Sequence, residues 1–531
     1  MLIFVSILAL GIADRIQSLV NQEVSTVYTL QDATIDMKRT MTIRNIGTDS
    51  VDSFFVSFDK AFADRLGYLT ASEGKKQLML VNPSEATGTV GWKVKFAETL
   101  GPSASTTVTL NGIVGHAYKP FPEETLLLEG NLALISLPLR ILSFYETEVE
   151  STIVSGTKGV IAHAPPELRA SSVNEMVWKS EKTSPAFSTG ILKLHLTHSA
   201  GVANFESVNR RVEISHWGGV QFFDNFALKN NAAKLEEEFS RIPFSIAKNM
   251  KGGTHPVEGL IKDVRAVLPR YARDVEYFDV IGNVTSSHAA RVGKTHILLE
   301  LEPRFPLLGG WGSEYSISFG LPARHVLTEG DDNTYRLSIP LNHPSAHIFS
   351  DKVNFEILLP EGAMNVVVET AGDGGLVRGL SPVVVGKAKS WLDTPFFGGH
   401  TQVTFSILGG FAIPEKEALN HKFFVSYTLP KIAVFRQPAL LVFYFFSLFV
   451  LYIAFSRAVG LSAGGDTPGL WSVTNSGITS GAASGAASGA TSGVASGAVS
   501  AATSEPTTPS EAMVKVVTEK RDSKPTVRKR K

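Results

Sequence analysis

From about Asn21 to Leu429 the chain keeps returning to strict alternation of apolar and polar residues. Trp92, Val94 and Phe96 alternate with Lys93 and Lys95, and Leu192, Leu194 and Leu196 with Lys193, His195 and Thr197. Val353, Phe355, Ile357 and Leu359 enclose Asn354 and Glu356, while Val403, Phe405 and Ile407 enclose Thr404 and Ser406. A period of two sends successive side chains to opposite faces of a strand, one toward a core and one toward water. The pattern predicts a mainly β protein of antiparallel sheets packed as tandem sandwiches, with few helices. Turns are expected at Asn111-Gly112, Pro360-Glu361-Gly362 and Gly372-Asp373-Gly374. One helix is expected where Val257, Leu260, Ile261, Val264, Val267 and Leu268 recur at three- and four-residue spacing between Pro256 and Pro269. The acidic stretch Lys234–Phe239 reads as a solvated helix face.

Two apolar runs frame this β region. Leu2–Ile12 follows the initial Met and is short for a membrane span, which suits a signal-peptide core. Gly11 and Ala13 supply the small residues for a cut before Asp14. Ala439–Phe455 holds no charge and, as a helix at ~1.5 Å per residue, covers roughly 25 Å. That approaches the ~27 Å core of the endoplasmic reticulum bilayer. Arg436 and Arg457 flank it, and Pro438 suits a first helical turn. The expected organisation is a signal peptide over 1–13, lumenal β domains over 14–220 and 221–437, a transmembrane helix over 438–456 and a cytosolic tail over 457–531. The orientation follows from the signal. Lys431 and Arg436 before the span against Arg457 after it give no positive-inside bias of their own.

The 531 residues include no cysteine, so no disulfide, Cys-zinc site, iron–sulfur site or thiol nucleophile is available. Stability on an oxidising side of a membrane then has to come from core size. Fifty basic residues against fifty acidic ones exclude a chain that coats nucleic acid as a whole. In the tail, Ser476–Thr503 is Ser/Gly/Ala low complexity, a flexible spacer. Glu505–Lys531 carries eight Lys/Arg against four Asp/Glu and ends Arg528-Lys529-Arg530-Lys531. That tip suits anionic lipid, ribosomal RNA or a dibasic retrieval signal, and equally a solubilising tail.

The search for chemistry is mostly negative. Gly293-Lys294-Thr295 lacks the upstream glycine of a phosphate loop, its place being taken by His288. His343 and His347 are four apart with Pro344 between them and no third ligand. Gly309-Gly310-Trp311-Gly312 lacks dinucleotide spacing and reads as a tight turn. No catalytic, cofactor-binding or metal residue is assigned. One covalent signal stands: Asn283-Val284-Thr285 is an acceptor for an N-linked glycan, whereas Asn82-Pro83-Ser84 is blocked by its proline.

Several stretches, in order across the chain, resemble the ribophorin I family, subunit 1 of the oligosaccharyltransferase complex. They are RRVEISHWG (Arg210–Gly218), YFDVIGNVTSSH (Tyr277–His288), EPRFPLLGGWGSEY (Glu302–Tyr315), LPEGA (Leu359–Ala363) and VSYTLPKIAVFRQPALLV (Val425–Val442). YKPFPEETLLLEGN (Tyr118–Asn131) is a weaker N-terminal portion. The resemblance implies a type I membrane protein of the endoplasmic reticulum. It implies a non-catalytic, structural or substrate-delivery subunit of a complex that moves a preassembled glycan from dolichyl diphosphate to Asn of nascent chains. It also implies other subunits and nascent polypeptides as partners, with translocon or ribosome beyond them. The Ser/Gly/Ala spacer stands where animal relatives carry a helical cytosolic domain associated with ribosome contact. Two further readings remain: a single-span adhesion or receptor protein with β-sandwich ectodomains, and a lumenal glycosyltransferase acting alone, which would need an acidic metal motif.

Overall fold

The computed structural model describes residues 18–86, 88–249, 257–293, 295–370, 381–388, 399–414 and 422–462. The expected signal segment, Pro256, the Gly372–Gly374 turn and the tail beyond residue 462 lie outside them. The chain forms two compact units, one through Arg436 and one beyond it.

The first unit is built of sheets around two hydrophobic cores. The first core is bounded by an eight-stranded sheet, in which Leu19–Leu30 pairs with Ile35–Asn45 on one side and Thr147–Ser155 on the other. Smaller sheets led by Thr89–Leu100 and Ile191–Thr197 contribute to the same core. Trp92, Val94, Leu192, Leu194 and Leu196 lie in it, as their alternation requires. The second core lies against a seven-stranded sheet in the order Arg273–Asp279, Gly312–Leu321, Gly219–Asn230, Ala203–Ser215, Ser350–Leu358, His400–Phe411, Val384–Ala388. Val353, Phe355, Ile357, Val403, Phe405 and Ile407 are buried beneath it. Apart from Tyr68, Ile113 and Ala232, core membership changes over between Val202 and Phe205, while residue 220 lies inside the hairpin of Ala203–Ser215 with Gly219–Asn230.

Each large sheet contains one parallel pairing among antiparallel neighbours. In the first it joins Leu19–Leu30 to Thr147–Ser155, and in the second Ala203–Ser215 to Ser350–Leu358. In both, the opening strand makes a hairpin with its successor and is then flanked by a strand returning after a crossover of roughly a hundred residues. Two sheets of the first unit thus follow one plan.

Three local expectations are corrected. Val264–Pro269 is a strand paired with His296–Leu301, not a helix. Val264, Ala266 and Leu268 also satisfy a period of two and are buried at 0–2% exposure, so the cross-strand partner decided between the two periods. The helix of this region is Arg241–Asn249, where Pro243 occupies the first turn. The acidic stretch contributes only a two-residue strand, Lys234–Leu235, and continues without helix. Asn111-Gly112 is not a turn but lies within the strand Ser105–Val114. There Gly112 admits the Tyr68 carbonyl and the Met37 side chain, each 3.1 Å from where a Cβ would stand. The turns at Glu361-Gly362 and Gly309-Gly310 form as expected.

The second unit is described by its helix, Arg436–Ser462, of which Pro438–Ala458 is long and apolar enough to cross a membrane. Ser447 Oγ donates to the Phe443 carbonyl at 2.8 Å and Ser456 Oγ to that of Ile453 at 2.9 Å, so both hydroxyls are satisfied within the helix.

The cores meet around Phe349. A Cβ on Gly115 would fall 2.1 Å from its ring, and one on Gly410 2.4 Å. Tyr68 and Ile113 from the first set of strands join the second core, and His116 faces Asp351 at 2.5 Å. Gly115→Ala should destabilise the protein by about 1–3 kcal/mol through overpacking. Gly101→Ala, which meets nothing within 4 Å, should stay within about 0.5 kcal/mol of wild type. Paired denaturant unfolding curves measure both.

Candidate functional site

The first cluster of interest forms where Ala203–Ser215 ends. Ser215 Oγ accepts from the backbone N–H groups of Trp217 and Gly218, closing a hairpin that needs Gly219 at φ +111°. The turn delivers His216 to within 2.9 Å of the Tyr427 hydroxyl and edge-on to the Tyr335 ring. Burial lowers the His216 pKa. Trp217 Nε1 donates to the Val434 carbonyl at 3.2 Å, and its ring meets Phe435 edge-on. Gly362, at φ +88°, lies where any Cβ would strike Arg436 and Ala433. Thr428 Oγ1 donates to the Met364 carbonyl. Residues 215–219, 359–365 and 425–436 therefore converge where the chain leaves the β body for the apolar helix. Trp217, Ile432 and Phe435 remain exposed there.

The second cluster holds the sequon. Asp279 Oδ1 accepts from the N–H groups of Ile281 and Gly282, and Arg304 grips the same carboxylate with Nε at 2.8 Å and Nη2 at 2.9 Å. The Arg304 hydrogen bonds foremost hold the Asp279 pKa down to about 2. Phe278 and Asn283 are antiparallel partners across this turn. Asn283 and Thr285 are exposed while Val284 is buried.

Under the seven-stranded sheet lies a buried charged pair that the sequence reading missed. Arg210 Nε stands 3.4 Å from Asp224 Oδ1, both essentially without exposure. Arg210 also donates to the Asn342 carbonyl and lies over the Phe222 ring. A signal was present: Arg210 sits in phase with Val208 and Val212, and Asp224 in phase with Phe222 and Phe226, on the buried side of each strand. Burial pushes the Asp224 carboxyl up to about 6, with Arg210 opposing the rise. His343 sits nearby among the rings of Phe205, Phe226 and Phe411, with Nε2 3.1 Å from Ser350 Oγ. Burial foremost keeps it well below its usual pKa. His343 is thus an apolar-core histidine, and among the described residues no three His, Asp or Glu side chains are arranged to hold a metal. Gly293 lies in the turn between two strands, as its rejection as a phosphate loop requires.

The solvent face of the same sheet is an open trough. One part, of about 530 Å³, is lined by Asn209, Arg211, Asn354, Glu356 and Ser406, and another, of about 430 Å³, by Asn225, Phe278, Val280 and Ser316. Asn209 and Asn225 line both.

These features define a β-built protein with one apolar helix suited to a membrane and, among the described residues, no group of three His, Asp or Glu arranged to hold a metal. Residues 19–456 match the ribophorin I family. The chain is 27% identical over 437 residues to dolichyl-diphosphooligosaccharide–protein glycosyltransferase subunit 1A of Arabidopsis thaliana, covering 79% of this chain and 67% of that one. It is 24% identical to subunit 1 of Caenorhabditis elegans over 80% of this chain and 70% of that one. Subunit 1B of Arabidopsis thaliana is 27% identical over 78% and 88%. The chain belongs to the ribophorin I family.

The buried groups make opposite contributions to stability in acid. Folded Asp224 takes up its proton near pH 6, before the unfolded chain does near the ordinary carboxylate value of 3.8, so acidification across that interval favours the folded state. His343 resists protonation that the unfolded chain accepts near 6.5, so acidification below 6.5 disfavours folding. Relative to wild type, Asp224→Asn should lose stability more steeply from pH 6 to 4, and His343→Gln less steeply. Thermal melts across that range read the difference.

Proposed function

We propose that the chain acts in the endoplasmic reticulum membrane as a non-catalytic, structural or substrate-delivery subunit of oligosaccharyltransferase. The observation that carries this is the family match over residues 19–456, which takes in both β cores and the apolar helix. Other subunits of the complex are its partners, and glycan transfer belongs to another polypeptide. The protein spans the membrane once, with its N-terminal body lumenal and its tail cytosolic. The exposed Trp217, Ile432 and Phe435 at the approach to the helix suit the headgroup layer. The lumenal body comprises two β domains, and the turnover of core residues near 203 supports a division somewhat before residue 220.

Nascent polypeptide is the further partner. Strand Val384–Ala388 ends the seven-stranded sheet among the described residues and exposes Val384 and Val385, which suits strand addition by an extended chain. Translocon or ribosome contact falls to the basic tip Arg528–Lys531. Asn283 carries an N-linked glycan in this reading, since the acceptor lies on an exposed, rigidly braced turn.

Affinity purification from membranes should bring down other oligosaccharyltransferase subunits, and purification of the chain alone would overturn the assignment. Protease added to sealed microsomes should remove the tail and spare the body. Asn283→Gln should raise gel mobility by one glycan, matching the shift that endoglycosidase causes in wild type. A photocrosslinker at Val385 should capture nascent chain; crosslinks to complex subunits alone would count against strand addition.

A further inference from the structure

The register of the seven-stranded sheet lines up one row of side chains on its solvent face. Phe278 stands opposite Ser316, Ser316 opposite Asn225, Asn225 opposite Asn209, Asn209 opposite Asn354 and Asn354 opposite Ser406. At ~4.8 Å between strands the row crosses the whole width of the trough. It contains no charged residue. Ser316 Oγ donates to Asn225 Oδ1 at 2.6 Å, and Asn354 Nδ2 to Asn209 Oδ1 at 2.7 Å. These bonds fix the orientation of both amides and leave the Nδ2 donors of Asn225 and Asn209 toward the trough.

Asn283 extends this row. It is the antiparallel partner of Phe278, and the bonds Asp279 N–H to Gly282 O and Val284 N–H to Tyr277 O flank the pair. That makes it a non-hydrogen-bonded pair, whose side chains project from the same face and stand closest together. A glycan on Asn283 therefore starts beside the exposed Phe278 ring, at one end of a neutral amide and hydroxyl track.

We propose that the Asn283 glycan folds back onto this sheet face, its first sugars stacking on Phe278 and hydrogen-bonding along Ser316, Asn225 and Asn209. The inference rests on the reading that Asn283 is glycosylated. The chemistry of the row selects the occupant. Pyranose rings offer an apolar C–H face for the aromatic ring and neutral hydroxyls for the amides. The charges in the adjoining row are already engaged within the protein: Arg211 with Glu213 at 2.6 Å, and Glu356 with Gln402 at 2.8 Å. An anionic ligand finds no spare cation there. An extended peptide finds no backbone ladder on a sheet face, since the donors and acceptors of the strands are spent on one another.

Peptide mass spectrometry of the complex purified from membranes first measures occupancy at Asn283. Endoglycosidase release from the native complex is then compared with release after denaturation. Wild type should resist by about tenfold or more in the native state, which corresponds to ~1.4 kcal/mol of contact. Phe278→Ala and Asn225→Ala should each accelerate native release several-fold and leave denatured release unchanged. Unchanged melting temperatures would show that these variants fold. An occupied site released as quickly in the native as in the denatured state overturns the inference and leaves the glycosylation reading standing. So does native protection that neither variant moves, which would mean that a neighbouring subunit shields the glycan. An unoccupied Asn283 overturns both.

Discussion

Strand register is the constraint on which the rest of this structure depends. Side chains repeat every two residues, so a slip of one residue in Ala203–Ser215 would carry Val208, Arg210 and Val212 to water and Asn209 and Arg211 into the core. The buried Arg210–Asp224 pair makes such a slip especially unfavourable. Both ions are paired to one another from neighbouring strands, at positions directly opposite in the ladder. A one-residue slip would carry Arg210 to water and leave Asp224 buried without its partner, at a penalty of about 3–5 kcal/mol by the usual measure of broken buried pairs. The pair need not add to stability over an apolar alternative in order to specify the alignment. The same alignment sets the solvent face, so the neutral row from Phe278 to Ser406 and the buried ion pair are two consequences of one pairing pattern.

The stretches that carry the family resemblance are far apart in sequence and meet in space. Ser215–Gly219 closes a hairpin against Val434 and Phe435, and Gly362 leaves room for Arg436. Asp279 from one stretch is gripped by Arg304 from another. In an enzyme, such convergence would be expected to bring nucleophiles or metal ligands together. Here it joins tryptophan, glycine and main-chain carbonyls near the start of the apolar helix, and an arginine to a turn beside a glycan acceptor. Those contacts determine local shape and placement, and they agree with membership of the non-catalytic ribophorin I family.

Much of the architecture was legible because the alternation is strong: Trp92, Leu194, Phe355 and Phe405 all fall on the buried side that their spacing assigns. The apolar helix was equally plain from Ala439–Phe455. The errors came from segments compatible with two periods. Val264, Val267 and Leu268 suit either a helix or a buried strand, and only pairing with Leu301, Leu298 and Ile297 decides. Asn111-Gly112 has turn chemistry, yet Gly112 serves close approach inside a sheet. The parallel pairings were invisible because Asn21 pairs with Thr147 and Phe205 with Ser350, partners well over a hundred residues apart, and no local pattern encodes a crossover of that length. The sequon was legible, but its position relative to Phe278 and Asn225 was not, since that depends on register among non-consecutive strands.

A chain without cysteine has to hold its parts together without disulfides, by packing. The two cores meet by interdigitation: Phe349 occupies a recess made by Gly67, Gly115 and Gly410, and Tyr68 and Ile113 reach into the second core. Glycine recesses of this kind give a large aromatic ring close backbone contact on several sides, and dense contact of this sort stands in for the cross-links that a cysteine-free chain lacks. The arrangement also explains why the chain can leave a broad polar sheet face uncovered. With burial concentrated in two deep cores and their junction, the amides, hydroxyls and paired charges on the outward face of the seven-stranded sheet carry little of the packing.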